Sequence, residues 1–492
     1  MRNQDLAGVN RLASLVSQIS EANLNWDRRL DFFLLSQITV ECLQTDKPLD
    51  TAYQVVTNLY INYVKRCESA SSFRLFSCFA MQLSRSLSSL PQLAATHPPQ
   101  PETGTAPFTL FLIDTDAWLG HLQVLGSFLQ LCSTNEKRYL EVIALSGTST
   151  SKWARLLKQL GVSYGHIPKG PIHERLQIIR QRVENLQNQG FAVRLIWITW
   201  PPLVFLGGLK RLAPSQIAWS MKYPFQIGLH YDEIIYAYGF GERRDQKIYL
   251  HDSFTPVRLL PFSLTQEILQ ASDQSIPIGI TERATGLMMQ FKRKPGHIAI
   301  LSVARPEKMC NEKFLARLSG LLSQNPKAHF FWCGKEGSLD AKGFQSQLIH
   351  YKLQRRSTLL GWVHPWPVIS QCDYFLDTYP FGSGVTMAQA LRLRKSILIH
   401  QPKPTANRLP EQMLIEEPNF NSLLVQIASQ TNGHIDILNE NNMPHLKPAD
   451  PLPEKSLKTH ESETSSWDPF QPSIKTHRLM VKRLLGIGAA GE

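Results

Sequence analysis

Between Leu376 and His400 the chain reads LDTYPFGSGVTMAQALRLRKSILIH. A short apolar run ends there in a glycine-flanked turn, and the turn leads directly into a segment patterned like a helix. Gly382 and Gly384 supply backbone angles that a tight turn needs. The same residues carry a chemical reading. The first N–H groups of a helix have no partner inside it and point outward with partial positive charge, so a helix starting at this turn attracts an anion such as a phosphate. On these residues alone, a plain turn and an anion seat both stay open.

What must position such a seat follows from the rest of the chain. At 492 residues the sequence exceeds one ordinary core, and roughly 100 to 200 residues per domain implies three units. Hydrophobic content of 43% and charged content of 19% describe a soluble globular protein. The net charge of +12 favours anionic partners, among which nucleic acid, acidic lipid and a nucleotide diphosphate all fit; no nucleic-acid motif is recognised. The start, MRNQDLAGVNRLASLV, carries Asp5 and lacks the uninterrupted apolar core of a secretory signal. The apolar stretch from Leu195 to Leu209 is interrupted by Pro201 and Pro202 and is short of a membrane span, so a strand, a loop and a buried helix are expected there. Seven cysteines without CxxC spacing imply neither a disulfide framework nor a zinc site, and a reducing, cytoplasmic setting is expected.

Leu6, Val9, Leu12, Val16 and Ile19 form one helical stripe, and residues 1–92 read as a helical accessory domain. A linker rich in Pro, Thr and Ala follows over 93–107. From Phe108 short β-rich runs (FTLFLI, YLEVIALSG, VRLIWIT) alternate with helical ones, which predicts parallel strands with helices between them over 108–285. The alternation restarts with HIAILSV, AHFFWCG, DYFLD and SILIH, defining a second α/β unit over 286–436. Such doubly wound units bind ligands at strand carboxyl ends. Residues 437–492 read as a polar tail whose closing SIKTHRLMVKRLLG suits a basic amphipathic helix that docks back or contacts a surface.

The order and spacing of SVARPEKMCNEKFLARLSGLLSQNPKAHFFWCG and LLGWVHPWPVISQCDYFLDTYPFGSGVTMAQAL resemble the nucleotide-binding half of GT-B glycosyltransferases. The likeness is to the group of O-GlcNAc transferases and adhesin N-glycosyltransferases, including bacterial members with a helical domain ahead of two Rossmann-like units. It is strong over 297–400, fair over 108–245 through DTDAWLGHLQVL and QIAWSMKY, and absent over the first 92 residues and the tail. The fold implied is α/β, with two Rossmann-like units facing a cleft behind an all-helical N-terminal domain.

The resemblance also implies roles. Arg305 and Lys308 would neutralise the diphosphate of a sugar nucleotide and stabilise the leaving nucleotide without a metal or other cofactor. Gly382, Ser383, Gly384 and Thr386 would offer backbone and hydroxyl donors to the same group. Gln389 stands where relatives carry an Asp or Glu for the ribose and keeps only neutral hydrogen bonding. His364 lies on a loop that in relatives holds the base and phosphates, or is a plain loop histidine. Arg394 and Ser396 replace a Gly and a Pro of many relatives, so the helix end is expected to stop differently. In the first unit, His121 or Asp116 would be the general base on the acceptor side; alternatively Asp116 caps a helix and His121 packs. Asp114 and Gly120 lie in the same stretch. Lys222 and Tyr223 would bind acceptor or phosphate, although Pro224 replaces a histidine expected in close relatives.

The activity implied is inverting, metal-independent transfer of a hexosyl or N-acetylhexosaminyl group from a nucleotide diphosphate sugar, with UDP expected, to a protein or glycan acceptor. Alternatives are a catalytically impaired scaffold that binds a partner, and a sugar-nucleotide epimerase on the same fold. A transmembrane segment is not expected, and peripheral membrane contact stays open.

Overall fold

The computed structural model describes residues 28–61, 70–90, 93, 106–115, 120–198, 200–220, 227–237, 246–248, 255–260, 264–271, 276–379, 384–400, 435–438, 443–448 and 474–486. They form two compact units, one of residues 1–263 with 472–492 and one of 264–471. The stripe from Leu6 to Ile19 and almost all of the 93–107 linker lie outside the described residues.

The first unit is built on an eight-stranded sheet: β1 (Pro107–Thr115), β2 (Leu140–Ser146), β3 (Ser163–His166), β4 (Ala192–Ile198), β5 (Ser215–Ser220), β6 (Glu233–Ala237), β7 (Gln246–Ile248) and β8 (Val257–Leu260), in the order β3-β2-β1-β4-β5-β6-β8-β7. All pairs are parallel except β7 with β8. Phe108 through Ile113 are buried consecutively, as expected for a parallel strand covered on both faces. The helices Gly120–Leu131, Lys152–Leu160, Ile172–Asn188 and Pro201–Leu209 supply that cover.

The helix Pro201–Leu209 is buried on every side, a pattern that requires neighbours all round. Three helices ahead of the sheet, Arg28–Leu43, Pro48–Leu59 and Ala70–Ser88, provide the missing neighbours, the last two packing directly on it. Ser84 Oγ donates to the Gly208 carbonyl at 3.1 Å, and Gly208 meets Gly228 backbone to backbone so closely that neither position has room for a Cβ. Asp50 Oδ1 accepts from the Ile172 backbone N at 3.1 Å. It satisfies an orphan donor at the start of a helix whose own N-cap, Pro171, offers no side-chain oxygen. The described helices of the expected accessory domain are therefore packed into the first unit.

The closing helix Ile474–Leu485 docks on the same unit, burying Met480, Val481, Leu484 and Leu485. Arg194 Nη1 donates to the Arg483 carbonyl at 2.7 Å and Thr109 Oγ1 to the Leu485 carbonyl at 3.4 Å, satisfying acceptors at the helix end.

The second unit is a six-stranded sheet, entirely parallel, of β9 (Ile298–Ser302), β10 (Ala328–Trp332), β11 (Ser357–Leu359), β12 (Tyr374–Leu376), β13 (Ser396–His400) and β14 (Ile435–Leu438), ordered β11-β10-β9-β12-β13-β14. Phe314 from the helix Glu312–Gln324 and Phe344 from the helix Leu339–His350 pack around Phe330 and Trp332 in its core. The unit begins at Leu264, ahead of the expected 286. The physical reason is in the helix Ile278–Lys292, which buries Ala284 and Met288 and pairs Lys292 Nζ with the buried Asp373 carboxylate at 2.8 Å.

Both sheets share one winding. Strand order reverses between β1 and β4 in the first and between β9 and β12 in the second. At such a reversal neighbouring connections leave in opposite directions, opening a crevice at the strand carboxyl ends.

Candidate nucleotide site

In the second unit both loops singled out by the sequence leave the strands that flank this reversal. β9 ends at Ser302, and Val303 and Ala304 lead to Arg305, the N-cap of a single 3-10 turn, Pro306–Lys308. Proline at the first position fixes the turn, and its backbone bonds, Lys308 N to Arg305 O at 3.0 Å and Met309 N to Pro306 O at 2.9 Å, hold it closed. The buried Met309 anchors the turn beneath, while Arg305 and Lys308 stay half-buried at its two ends.

The partner loop leaves β12, and its helix runs from Gly384 to Arg392. Thr386 Oγ1 donates to the Val303 carbonyl at 3.0 Å, tying this helix start to the loop that carries Arg305. Ser302 Oγ donates to the Leu376 carbonyl at 2.6 Å, clamping the ends of β9 and β12 together. Arg305, Lys308 and Gly384 are thus brought to one end of two adjacent strands. Thr386 differs from its expected part, because its hydroxyl proton is committed to Val303. Gly382 and Ser383 lie outside the described residues.

Gln389 is buried at 2% exposure, and its Nε2 donates to the Leu269 carbonyl at 2.9 Å. Its Oε1 has no hydrogen-bond partner among the described residues. A buried amide oxygen left unpaired costs free energy on the order of 1–3 kcal/mol and is an acceptor for a ligand hydroxyl. His364 caps the helix Pro365–Gln371 and is buried; its backbone N donates to Thr281 Oγ1 at 3.1 Å and its Nε2 faces the Ala271 carbonyl at 3.2 Å. A carbonyl only accepts, so Nε2 carries the proton. His364 thereby ties Ala271, through its ring, and Thr281, through its backbone, to the start of the helix Pro365–Gln371.

The helix end corrects one expectation. Arg394 adopts φ 53°, the left-handed conformation, with Lys395 N bonded to Ala390 O at 3.0 Å and Arg394 N to Leu391 O at 2.9 Å. That is the six-to-one and five-to-two pairing of a Schellman stop. The helix stops as a glycine would stop it, at the cost of placing a side chain in the left-handed region.

Sequence reasoning missed Ser302, Val303 and Gly334. A Cβ on Gly334 would sit 2.7 Å from Pro306 Cγ, so the loop after β10 presses on the 3-10 turn only because that position lacks a side chain. The only sequence signal was a glycine immediately after an apolar strand.

In the first unit, Asp114 lies near the carboxyl end of β1 and His121 half-buried in the first turn of the following helix. Tyr53 OH donates to Asp114 Oδ1 at 3.2 Å and Ser146 Oγ to the Asp114 carbonyl at 2.7 Å. Burial raises the Asp114 carboxyl above its ordinary pKa, opposed by the Tyr53 hydrogen bond and by Arg175. Tyr53 and Arg175 carried no signal in the sequence. Asp116, Lys222, Tyr223 and Pro224 lie outside the described residues.

No family model and no curated protein sequence matches the chain. Solved structures similar to it include an O-GlcNAc transferase mutant of Thermobaculum terrenum, at 12% identity and a TM-score of 0.48 over 89% of this chain and 88% of that one. Another is HepE of Anabaena in complex with UDP and glucose, at 12% identity and a TM-score of 0.41 over 66% of this chain and 93% of that one. A third is WaaG, a glycosyltransferase involved in lipopolysaccharide biosynthesis, at 12% identity and a TM-score of 0.39 over 68% and 88%. No helix among the described residues is long and apolar enough to cross a membrane.

Proposed function

We propose that the chain is a glycosyltransferase that moves a sugar from a nucleotide diphosphate sugar, with UDP the expected nucleotide, to a hydroxyl or amide of a protein or glycan. The observation that carries this reading is the joining of the Arg305–Lys308 turn to the start of the Gly384–Arg392 helix through Thr386 and Val303, at the reversal point of a parallel sheet. Two cations and a helix N-terminus at one place suit a diphosphate and stabilise the charge that develops on it when the glycosidic bond breaks. Arg305 and Lys308 take the part that a metal plays elsewhere, and the transfer inverts the anomeric centre. His121 or Asp116 removes the acceptor proton.

A second reading, a scaffold that has lost turnover, is favoured by Gln389, whose amide donor is engaged with Leu269 and which carries no charge for a ribose. Titration calorimetry with UDP and incubation with labelled UDP-sugars and a lysate separate the two. Binding with transfer supports the transferase. Binding without transfer supports the scaffold, and the absence of UDP binding removes the site.

A further inference from the structure

Away from the strand ends, three side chains of the first unit converge where the closing helix docks. Cys132 follows the helix Gly120–Leu131, Glu136 sits in the short helical turn Thr134–Lys137, and His477 lies in the first turn of the helix Ile474–Leu485. One donor atom from each lies within 4.8 Å of the other two. Both ring nitrogens of His477 are shielded from water; the Leu131 carbonyl beside the ring can accept from one N–H, which leaves the lone pair of the other nitrogen without a donor among the described residues. Its ring packs against Phe128, centroids 6.0 Å apart, so the protein holds the imidazole in place. A half-buried imidazole whose nitrogens are closed to water calls for a partner that takes the lone pair of one nitrogen.

The neighbours are prepared in a consistent way. Glu136 Oε2 accepts from Ser133 N at 2.6 Å and Ser133 Oγ from Glu136 N at 3.2 Å, a capping box that fixes the carboxylate and leaves Oε1 available. Cys132 is 3% exposed, with its thiol donating to the Phe128 carbonyl at 3.3 Å.

We propose that Cys132, Glu136 and His477 form a binding site for a divalent first-row transition ion, zinc above all, which fastens the closing helix to the first unit. One sulfur, one nitrogen and one oxygen donor suit zinc, whereas magnesium and calcium take oxygen ligands. A thiolate and a carboxylate together neutralise a doubly charged ion, so the filled site carries no net charge into the interior. Three protein ligands leave a fourth position for water. A tetrahedral zinc holds its donors about 3.4–3.6 Å apart, so closure asks for side-chain rotations on the order of an ångström. Binding exchanges the thiol S–H bond for a metal–sulfur bond and releases the proton to solvent. The site is independent of the proposed sugar transfer.

The test is a cobalt(II) titration of the full reduced chain, stripped beforehand with chelator. A site of this kind gives thiolate-to-cobalt charge-transfer absorption saturating at one equivalent and abolished by zinc. Cys132→Ser and His477→Ala should each weaken binding by at least about 100-fold, beyond what loss of a residue that only orients a ligand does. A control variant lacking Cys78 and Cys310, which are exposed and half-buried, should bind as the parent does. Circular dichroism of the metal-free variants establishes that they fold; if His477→Ala does not, His477→Gln replaces it. A second readout is protease resistance of the helix Ile474–Leu485, which zinc should raise in the parent and leave unchanged in Cys132→Ser. Absence of stoichiometric cobalt binding, or absorption retained in Cys132→Ser, overturns the proposal.

Discussion

Lys308 contributes a full positive charge at one end of a turn held rigid by Pro306, so little reorganisation precedes its contact with a phosphate. Lys308→Ala should weaken UDP binding by about 1.5–3 kcal/mol, the scale of a hydrogen bond to a charged group. Calorimetry reads the change directly, and unchanged affinity would remove Lys308 from the site. Arg394 makes the opposite kind of prediction. Its left-handed backbone is strained by roughly 1–2 kcal/mol, and a glycine there relieves the strain while adding unfolded-state freedom. Arg394→Gly should therefore stabilise the second unit by about 0.5–1 kcal/mol, seen as a higher midpoint in urea unfolding. His400 sets a pH dependence. Burial, with Arg317 nearby, pushes its pKa down to about 3, against a hydrogen bond to the Asp377 carbonyl, and Phe314 and Tyr379 flank the ring. Below the ordinary value of about 6.5 the unfolded chain takes up a proton that the folded one refuses, so stability falls as pH drops from there towards 3. Between about pH 6.5 and 5 the loss should approach 2 kcal/mol. Thermal midpoints measured across that range should fall in the parent and fall less in His400→Gln.

At the scale of elements, what the sequence made legible was whatever depends on local pattern. β1, β2, β4, β9, β10, β12 and β13 all correspond to apolar runs that were readable because parallel strands covered on both faces are apolar throughout. The short exposed β3 and the three-residue β11 leave no such run. The closing helix was readable as amphipathic, yet its docking surface was not, because Arg194 and Thr109 lie far from it in the chain. The boundary at Leu264 was hidden for a similar reason: the helix Ile278–Lys292 has a weak apolar stripe and is claimed by Asp373 and His364 through polar contacts. In the candidate site, the two loops were legible from glycine, proline and basic residues. The bonds that join them, from Thr386 to Val303 and Ser302 to Leu376, exist only once β9 and β12 are neighbours. The N-terminal helices supply a test of their own. Ser84 is fully buried and bonded to Gly208, so Ser84→Leu both removes that bond and overfills the contact. A loss of about 1–3 kcal/mol is expected in the unfolding of the first unit. A helical domain independent of the sheet would leave that transition where it was.

At the scale of the whole molecule, the two candidate duties fall on different compact units: anion binding on residues 264–471 and proton abstraction on residues 1–263. A division of labour of this kind predicts that substitutions separate by unit. Under the proposed function, nucleotide affinity should depend on Arg305 and Lys308 and be indifferent to the first unit's titratable groups, whereas turnover should require both. His121 stands in the first turn of the helix after β1, the strand that carries Asp114. Replacing a general base costs roughly 100-fold to 10,000-fold in rate. If the chain transfers sugar, His121→Ala or Asp116→Ala should show that loss with labelled UDP-sugar while UDP affinity stays within about threefold, or about 0.65 kcal/mol. The scaffold reading forecasts a parent with no transfer and variants that fold and bind as the parent does. Transfer undiminished in both variants would move the base elsewhere in the first unit, and Asp114, held by Tyr53 with its pKa raised by burial, is the next group to replace.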